Sequence, residues 1–196
     1  MRIAILATAA VFGMTGAGEA ETMNCTTLLE HTEADADNPW QTVNDGVMGG
    51  LSSGGSILED GELVFKGVTN TNGGGFSSIR ISVPRGAMAG ADSLRVHMKR
   101  DARAYSMTLR TNVTSYGRRI AFRTEIDGAP EGEWGDGILK FDNLKASIWG
   151  RPVSDAVFDP AEVVELGIII YDGKDGPFEM KMTKIEACSA GTDTAA

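Results

Sequence analysis

Apolar and polar residues alternate along much of this chain with a period of two. The alternation is clearest over residues 94–99, 105–110 and 119–126. Successive side chains of a β-strand point to opposite faces, so each stretch predicts a strand that is buried on one side. Turn signals rich in Gly, Asp and Pro separate five further predicted strands, at residues 63–68, 76–83, 132–141, 164–171 and 178–187.

Two segments depart from simple alternation. Residues 166–171 are continuously apolar, which predicts a central strand covered on both faces. Asp159 and Pro160 just before that run predict a capped single helical turn. No long amphipathic helix and no internal repeat is evident. Eight or nine short strands with glycine-rich turns predict an all-β fold, a jelly-roll β-sandwich.

The N-terminus has the three-part layout of a secretory signal peptide. Arg2 precedes an apolar run over residues 3–14, and small residues lead to a predicted cleavage site after Ala20. The run is shorter than the ~20 residues that a membrane-spanning helix needs. We therefore expect a signal peptide at 1–20, one domain at 21–188, a flexible tail at 189–196, no membrane insertion, and a periplasmic or secreted protein.

The chain has two cysteines, Cys25 and Cys188, near the two ends of the predicted mature domain. An exported protein meets an oxidising compartment, where paired cysteines persist as disulfides. We predict that these two residues form a disulfide. The alternative is a pair of free, buried thiols.

Charge is distributed unevenly along the sequence. The net charge is −9, yet residues 80–123 hold ten basic and two acidic side chains. The acidic whole argues against nucleic acid as a partner. Alternation places five of these cations at outward positions, where neighbouring strands would unite them into one positive face: Arg95, Lys99, Arg110, Arg119 and Arg123. The alternative is that they form salt bridges with the acidic remainder.

Residue types that carry catalysis are scarce. The chain has only two histidines, no cluster with metal-ligand spacing and no Gly-x-Ser-x-Gly motif. Glu131, Glu133 and Asp136 beside Trp134 are the carboxylates to consider for sugar hydrolysis, although ordinary turn chemistry explains them equally well. Calcium binding by loop carboxylates stays open, without an EF-hand pattern. We expect no enzyme activity, no metal site and no cofactor.

Two glycine-rich motifs stand out, NDGVMGG at residues 44–50 and NGGGFSSIR at residues 72–80. The second lacks the Gly-Lys-Ser/Thr of a phosphate loop and leads into a strand. In that strand Phe76, Ser78 and Arg80 share the face opposite the predicted core, beside a loop whose bare backbone admits a partner closely. The alternative is that the glycines only form turns and that Arg80 pairs with an acidic loop. In the first motif Asn44-Asp45-Gly46 predicts a turn. Met48 and Trp40, just upstream of the motif, have two interpretations: burial in the core, which we favour, or a contact with a partner.

The order of these motifs resembles one known family. The matching residues are Trp40, NDGVMGG with Ser52, Gly67, NGGGFSSIR, Asp101, Arg103, Tyr105, Trp134, Phe141, Gly150-Arg151 and Gly176-Pro177-Phe178. Together they resemble the complex I intermediate-associated protein 30 family. The resemblance implies a fold similar to galactose-binding-like jelly rolls and a non-catalytic protein that holds a protein partner. Mitochondrial members of that family assist assembly of respiratory complex I.

Our functional hypothesis is therefore a binding or assembly-chaperone protein. The predicted partner- or ligand-binding residues are Asn44, Asp45, Met48, Asn72, Phe76, Ser78, Arg80 and Arg151. The alternative is a carbohydrate-binding module of the cell envelope, in which Trp134, Trp149 or Tyr105 would stack on sugar rings.

Overall fold

The computed structural model describes residues 23–35, 37–115, 117–148 and 150–190. The predicted signal peptide, Trp149 and residues 191–196 lie outside the described residues. In the described part, the fold is a β-sandwich of two antiparallel sheets without an α-helix, which confirms the all-β prediction. No helix there is long and apolar enough to cross a membrane.

The described residues form thirteen strands. In chain order they are β1 (Met23–Glu30), β2 (Gln41–Asn44), β3 (Ser53–Glu59), β4 (Glu62–Thr69), β5 (Ser77–Ser82), β6 (Ser93–Arg100), β7 (Tyr105–Ser115), β8 (Arg118–Glu125), β9 (Gly135–Lys140), β10 (Lys145–Ile148), β11 (Arg151–Pro152), β12 (Val163–Ile170) and β13 (Gly176–Ala190). The six-stranded sheet has the order β3-β4-β13-β6-β9, with β1 also paired to β13. The seven-stranded sheet has the order β11-β10-β8-β7-β12-β5-β2.

All eight strands that the pattern predicts are present, with their ends shifted by a few residues. The count of eight or nine was too low, because β1, β2, β3, β10 and β11 were missed. Three of these strands, β2, β3 and β11, are the outermost strands of their sheets. An edge strand buries fewer side chains, so its sequence shows less alternation.

The core lies between the two sheets. Leu63 and Phe65 of β4 face Ile79 of β5 and Leu166 and Ile168 of β12, and all five side chains are fully buried. Strand β12 lies between β5 and β7, as its apolar sequence predicted.

The prediction that both faces of β12 are covered was wrong in part. Glu165 and Ile169, on its outward side, are half-buried rather than fully covered. The predicted cap is confirmed, because the Asp159 side chain accepts a hydrogen bond from the Ala161 amide with Pro160 in the first turn.

Cys25 and Cys188 form the predicted disulfide. The bond joins β1 to β13, where the two residues lie opposite each other. Strand β13 itself continues to Ala190, two residues past the predicted end of the domain.

Trp40 is buried, as predicted, and its indole is hydrogen-bonded inside the fold. Trp40 Nε1 donates to Nε2 of the buried His31 at 3.2 Å. The acceptor role requires Nε2 without a proton, so the proton of the neutral imidazole is on Nδ1, which lies 3.7 Å from Asp35 Oδ2. Burial lowers the pKa of His31, and the nearby Asp35 carboxylate only partly opposes this effect.

The buried, neutral His31 predicts that the protein loses stability in mild acid. The pKa of His31 is lower in the folded than in the unfolded chain, so the unfolded state binds more protons as the pH falls below about 6.5. The His31 contribution is fully present above that pH and declines on acidification. Urea unfolding at pH 7.5 and pH 5.0 measures it: His31→Gln should show a smaller acid loss than wild type. An unchanged loss in His31→Gln would refute the assignment.

Candidate functional site

The two glycine motifs meet at one carboxylate, that of Asp45. Its side chain is fully buried at the start of a 3-10 turn, Asp45–Met48. Oδ1 accepts from the Ser52 amide at 2.9 Å, and Oδ2 accepts from the Ser52 hydroxyl at 2.6 Å, the Gly75 amide at 2.6 Å and the Phe76 amide at 3.3 Å. Asp45 therefore fastens the second motif to the first. Its burial corrects the prediction that it contacts a partner.

Asp45 is held in its charged form. Burial by itself would raise the pKa of the carboxyl, but the hydrogen bonds from Gly75, Ser52 and Phe76 outweigh burial and lower it. The ionised carboxylate explains why the surrounding backbone amides all point inward.

Two of the glycines make room for this carboxylate. A Cβ atom at Gly50 would lie 2.3 Å from Asp45 Cγ, and one at Gly74 would lie 2.3 Å from Asp45 Oδ2. Neither glycine has positive φ, so space and not backbone conformation excludes a side chain at these positions. By contrast, a Cβ at Gly46 would meet nothing within 4 Å.

Asn44 and Ser78 have structural partners inside the fold. Asn44 Oδ1 accepts from the Ser77 hydroxyl at 2.6 Å, and its Nδ2 donates to the Gly54 carbonyl at 3.1 Å. The buried Ser78 hydroxyl donates to the carbonyl of Val43 on the neighbouring strand at 2.9 Å. The burial of Ser78 corrects the prediction that it contacts a partner, whereas the predicted contact of the half-buried Asn44 stays a prediction. Asn72, the first residue of the second motif, is exposed in the loop between β4 and β5.

A buried arginine fixes the neighbouring loop. Arg103 makes a bidentate pair with Asp172, from Nε at 2.7 Å and from an Nη at 2.7 Å. The hydrogen bonds of this pair raise the pKa of Arg103 and lower that of Asp172. The guanidinium also donates to Thr69 Oγ1, to the loop carbonyl of Lys174 and to the carbonyls of Gly176 and Pro177 at the start of β13.

The same loop touches the second glycine motif, since the Thr71 amide donates to Asp175 at 2.6 Å. Asp45 and Arg103 thus hold three loops together, and we call this region the glycine-motif end. Sequence reasoning included Arg103 in the basic block and in the family resemblance, but did not predict its pairing with Asp172.

Replacing Arg103 with lysine should lower the free energy of unfolding by about 2 kcal/mol, because an ammonium cannot satisfy so many fixed acceptors at once. Urea denaturation measures the change. Arg151→Lys, at an exposed position with no ion pair in the described structure, is the control and should stay within about 0.5 kcal/mol of wild type. An equal loss of unfolding free energy in the two variants would mean that the hydrogen bonds of Arg103 do not stabilise this region.

The glycine-motif end presents an apolar surface. Val47, Met48 and Leu51 have 75%, 67% and 63% of their surface exposed, and we call these three residues the apolar tip. The prediction that Met48 is buried was wrong, because the turn that buries Asp45 directs the following residues outward. Large apolar side chains grouped at a surface are typical of interaction sites.

Arg80 lies on the outward face of the seven-stranded sheet, as predicted. Opposite it on β12 is Gly167, and Thr108 of β7 and Arg123 of β8 continue the same row. Beside this row, Glu165 accepts from Arg110 at 2.6 Å and lies 4.0 Å from Arg80 Nε. Burial lowers the pKa of Arg80, Arg110 lowers it further, and Glu165 acts in the opposite direction. Arg80 therefore pairs with a neighbouring strand and not with an acidic loop.

Phe76 joins this face to the glycine-motif end. Its amide is bonded to Asp45, and its half-buried ring packs edge-on against Tyr171, with centroids 6.4 Å apart. The guanidinium of Arg123 lies over the Tyr171 ring, 5.5 Å from its centroid. Tyr171 was not among the predicted site residues, because its sequence marks it only as the last residue of a strand.

The structure does not bring all predicted residues together. Arg151 is on β11, at the edge of the seven-stranded sheet opposite β2 and Asn44, so six strand spacings of ~4.8 Å separate them. The prediction that five cations share one positive face was also wrong, because two of them, Arg95 and Lys99, lie on β6 in the other sheet. Arg95 there pairs with Glu186 at 2.8 Å.

The aromatic residues of the carbohydrate alternative differ in their surroundings. Tyr105 is buried and its hydroxyl donates to Asp101 at 3.0 Å, so it cannot stack on a sugar. Trp134 is 37% exposed and stacks on His97, with centroids 5.4 Å apart. His97 Nδ1 lies 2.8 Å from Asp136. In the part of the chain that the structure describes, no three His, Cys, Asp or Glu side chains are grouped to hold a metal ion.

The fold is a jelly-roll β-sandwich of two antiparallel sheets, and solved structures with a similar fold are carbohydrate-binding modules. Similar solved structures include the family 11 carbohydrate-binding module from Clostridium thermocellum in complex with a β-1,3-1,4-mixed-linked tetrasaccharide. That module is 14% identical, with a TM-score of 0.61 over 84% of this chain and 95% of the module. The family 11 module of the Clostridium thermocellum cellulosomal cellulase Lic26A-Cel5E is 12% identical, with a TM-score of 0.61 over 87% and 98%. At these identities the likeness shows the fold alone.

Residues 29–182 match the family described as Complex I intermediate-associated protein 30. The chain belongs to that family, which confirms the resemblance stated from the motifs. No curated protein matches it by sequence.

Proposed function

We propose that this chain is an exported, non-catalytic binding protein that holds another protein through the apolar tip. The family takes its name from a protein associated with complex I intermediates, and holding a partner is the kind of role that this name describes for that protein. The Cys25–Cys188 disulfide supports a periplasmic or secreted location, because disulfides persist in oxidising compartments.

The observation that best supports this proposal is the exposure of Val47, Met48 and Leu51, at a turn whose first residue, Asp45, is buried. Covering each such side chain fully would contribute about 1.5 to 3 kcal/mol. A turn that is already ordered in the free protein also avoids the entropy cost of ordering a loop on binding. Both effects favour a protein partner with an apolar patch.

Site-specific photo-crosslinking in the native cell envelope tests this proposal. A photoreactive amino acid at position 48 should give one defined protein adduct. Replacing Val47 and Leu51 with serine in that background should remove most of it, because the neighbouring apolar contacts are lost.

The control is a photoreactive residue at Val157, which is 86% exposed but lies elsewhere. It should not give the same adduct. The proposal fails if position 48 yields no protein adduct, or if positions 48 and 157 yield the same set of proteins.

A carbohydrate-binding role is the second candidate, and the observation that favours it is the exposed Trp134 stacked on His97. Calorimetry with envelope polysaccharides should then show binding that Trp134→Ala weakens at least tenfold. Retained binding in that variant, or no binding by wild type, would remove this candidate.

A further inference from the structure

The outward face of the seven-stranded sheet carries an excess of positive charge. Its cations include Arg80 on β5, Arg110 on β7, Arg123 on β8 and Lys145 on β10, and we call these four residues the arginine face. The register places only two carboxylates on the same side, Glu165 and Glu125. The Glu165 carboxylate lies between the guanidiniums of Arg80 and Arg110. It compensates one of their two positive charges, and the other charge remains.

Arg123 and Lys145 add to this excess. They lie opposite each other on neighbouring strands, and neither has a carboxylate partner among the described residues. Arg123 instead contacts the ring of Tyr171. Two like charges placed side by side favour a ligand that supplies negative charge.

The other sheet shows the opposite arrangement. Several cations on its outward side have their own carboxylates: Arg95 lies near Asp136 as well as Glu186, Lys184 pairs with Glu186, and Lys181 pairs with Glu62. The chain as a whole has a net charge of −9. The arginine face is therefore a local exception on an acidic protein, and such a patch selects an acidic ligand by charge.

The surface chemistry favours a polypeptide over a sugar. At the outward positions of the described sheet residues, no aromatic ring lies open along the row that joins Arg80 to Lys145. Tyr171 stands beside the row with 56% of its surface exposed; its ring packs edge-on against Phe76 and has the Arg123 guanidinium 5.5 Å from its centroid.

The dimensions set the length of the segment. From β5 to β10 there are four strand spacings of ~4.8 Å, or about 19 Å, which an extended chain of about six residues spans at ~3.3 Å each. We propose that the arginine face binds an acidic, extended segment of about six residues in the protein partner. This inference rests on the proposed function. It adds a charged contact with the same protein partner to the apolar contact made by the apolar tip.

Fluorescence anisotropy with labelled glutamate peptides tests the inference on the full mature chain. A hexaglutamate peptide should bind, a triglutamate peptide should bind at least tenfold more weakly, and a neutral Gly-Ser hexapeptide should not bind. Raising the salt concentration from 50 to 300 mM should weaken the hexaglutamate complex several-fold, because salt screens exposed charges.

The decisive variant is Arg123→Gln with Lys145→Gln, which removes two charges that have no carboxylate partner. It should weaken hexaglutamate binding at least tenfold. Lys66→Gln with Lys99→Gln removes the same charge from the other sheet and should leave binding within twofold of wild type. Equal weakening by the two variants, no hexaglutamate binding, or tighter binding of polygalacturonate than of the peptide would overturn the inference.

Failure here can be separated from failure of the proposed function. If position 48 still crosslinks its protein adduct but the peptide does not bind, only the acidic segment is refuted. If the crosslink is absent, the protein-holding role itself fails.

Discussion

Adding one methyl group at Gly50 or Gly74 should lower the free energy of unfolding by about 3 kcal/mol, whereas the same change at Gly46 should be neutral or slightly stabilising. A Cβ atom at Gly50 or Gly74 would lie 2.3 Å from atoms of the buried Asp45 carboxylate, but a Cβ at Gly46 meets nothing. Asp45→Ala removes the acceptor of four donors and should cost about 3 to 5 kcal/mol, as loss of one partner from a buried charge network does.

A double-mutant cycle makes this prediction specific. The three atoms nearest to a Cβ at Gly50 are all carboxylate atoms of Asp45, and Asp45→Ala removes them. Gly50→Ala should therefore cost little in the Asp45→Ala background. A Cβ at Gly74 also lies 2.6 Å from Asp45 Cβ, which alanine keeps, so Gly74→Ala should still destabilise that background.

Urea denaturation of the seven proteins, the wild type, four single variants and two double variants, measures the cycle. If Gly50→Ala costs the same in both backgrounds, the carboxylate is not what excludes a side chain there. If Gly46→Ala lowers the free energy of unfolding as much as Gly50→Ala does, the loss comes from the turn conformation and not from a clash with Asp45.

The alternation of apolar and polar residues predicted the interior of the fold well. The central strands bury one full side, so β4, β5, β6, β7 and β12 carry a strong signal. The edge strand β2 has four residues and β11 only two, which is too short for a period to be recognised. The register between strands depends on contacts far apart in sequence, and alternation does not encode it.

The candidate site was harder to predict, because its central contact is long-range. Asp45 and Gly75 are 30 residues apart, and a sequence that reads Asn-Asp-Gly indicates an exposed turn. Because Asp45 points into the fold, the residues that follow it in the turn point outward, and Met48 faces solvent instead of the core. The outward direction of Arg80 was predictable from alternation within β5, whereas its proximity to Arg110 required the strand order.

Removing the disulfide with Cys25→Ser and Cys188→Ser should lower the free energy of unfolding by about 4 to 5 kcal/mol. The two cysteines are 163 residues apart, and in the chain-entropy model the stabilisation grows with the length of the closed loop. In the described structure β1 pairs only with β13, so the bond also holds this strand in place.

Two measurements distinguish these contributions. Urea denaturation gives the global loss, and reduced wild-type protein should match the double variant. Hydrogen exchange should show faster exchange in β1 than in β4, because β4 is paired on both sides, with β3 and β13, whereas β1 depends on one neighbour. Unchanged stability in the double variant would mean that β1 is held by its pairing with β13 alone. A chain that needs this bond reaches full stability only where thiols oxidise.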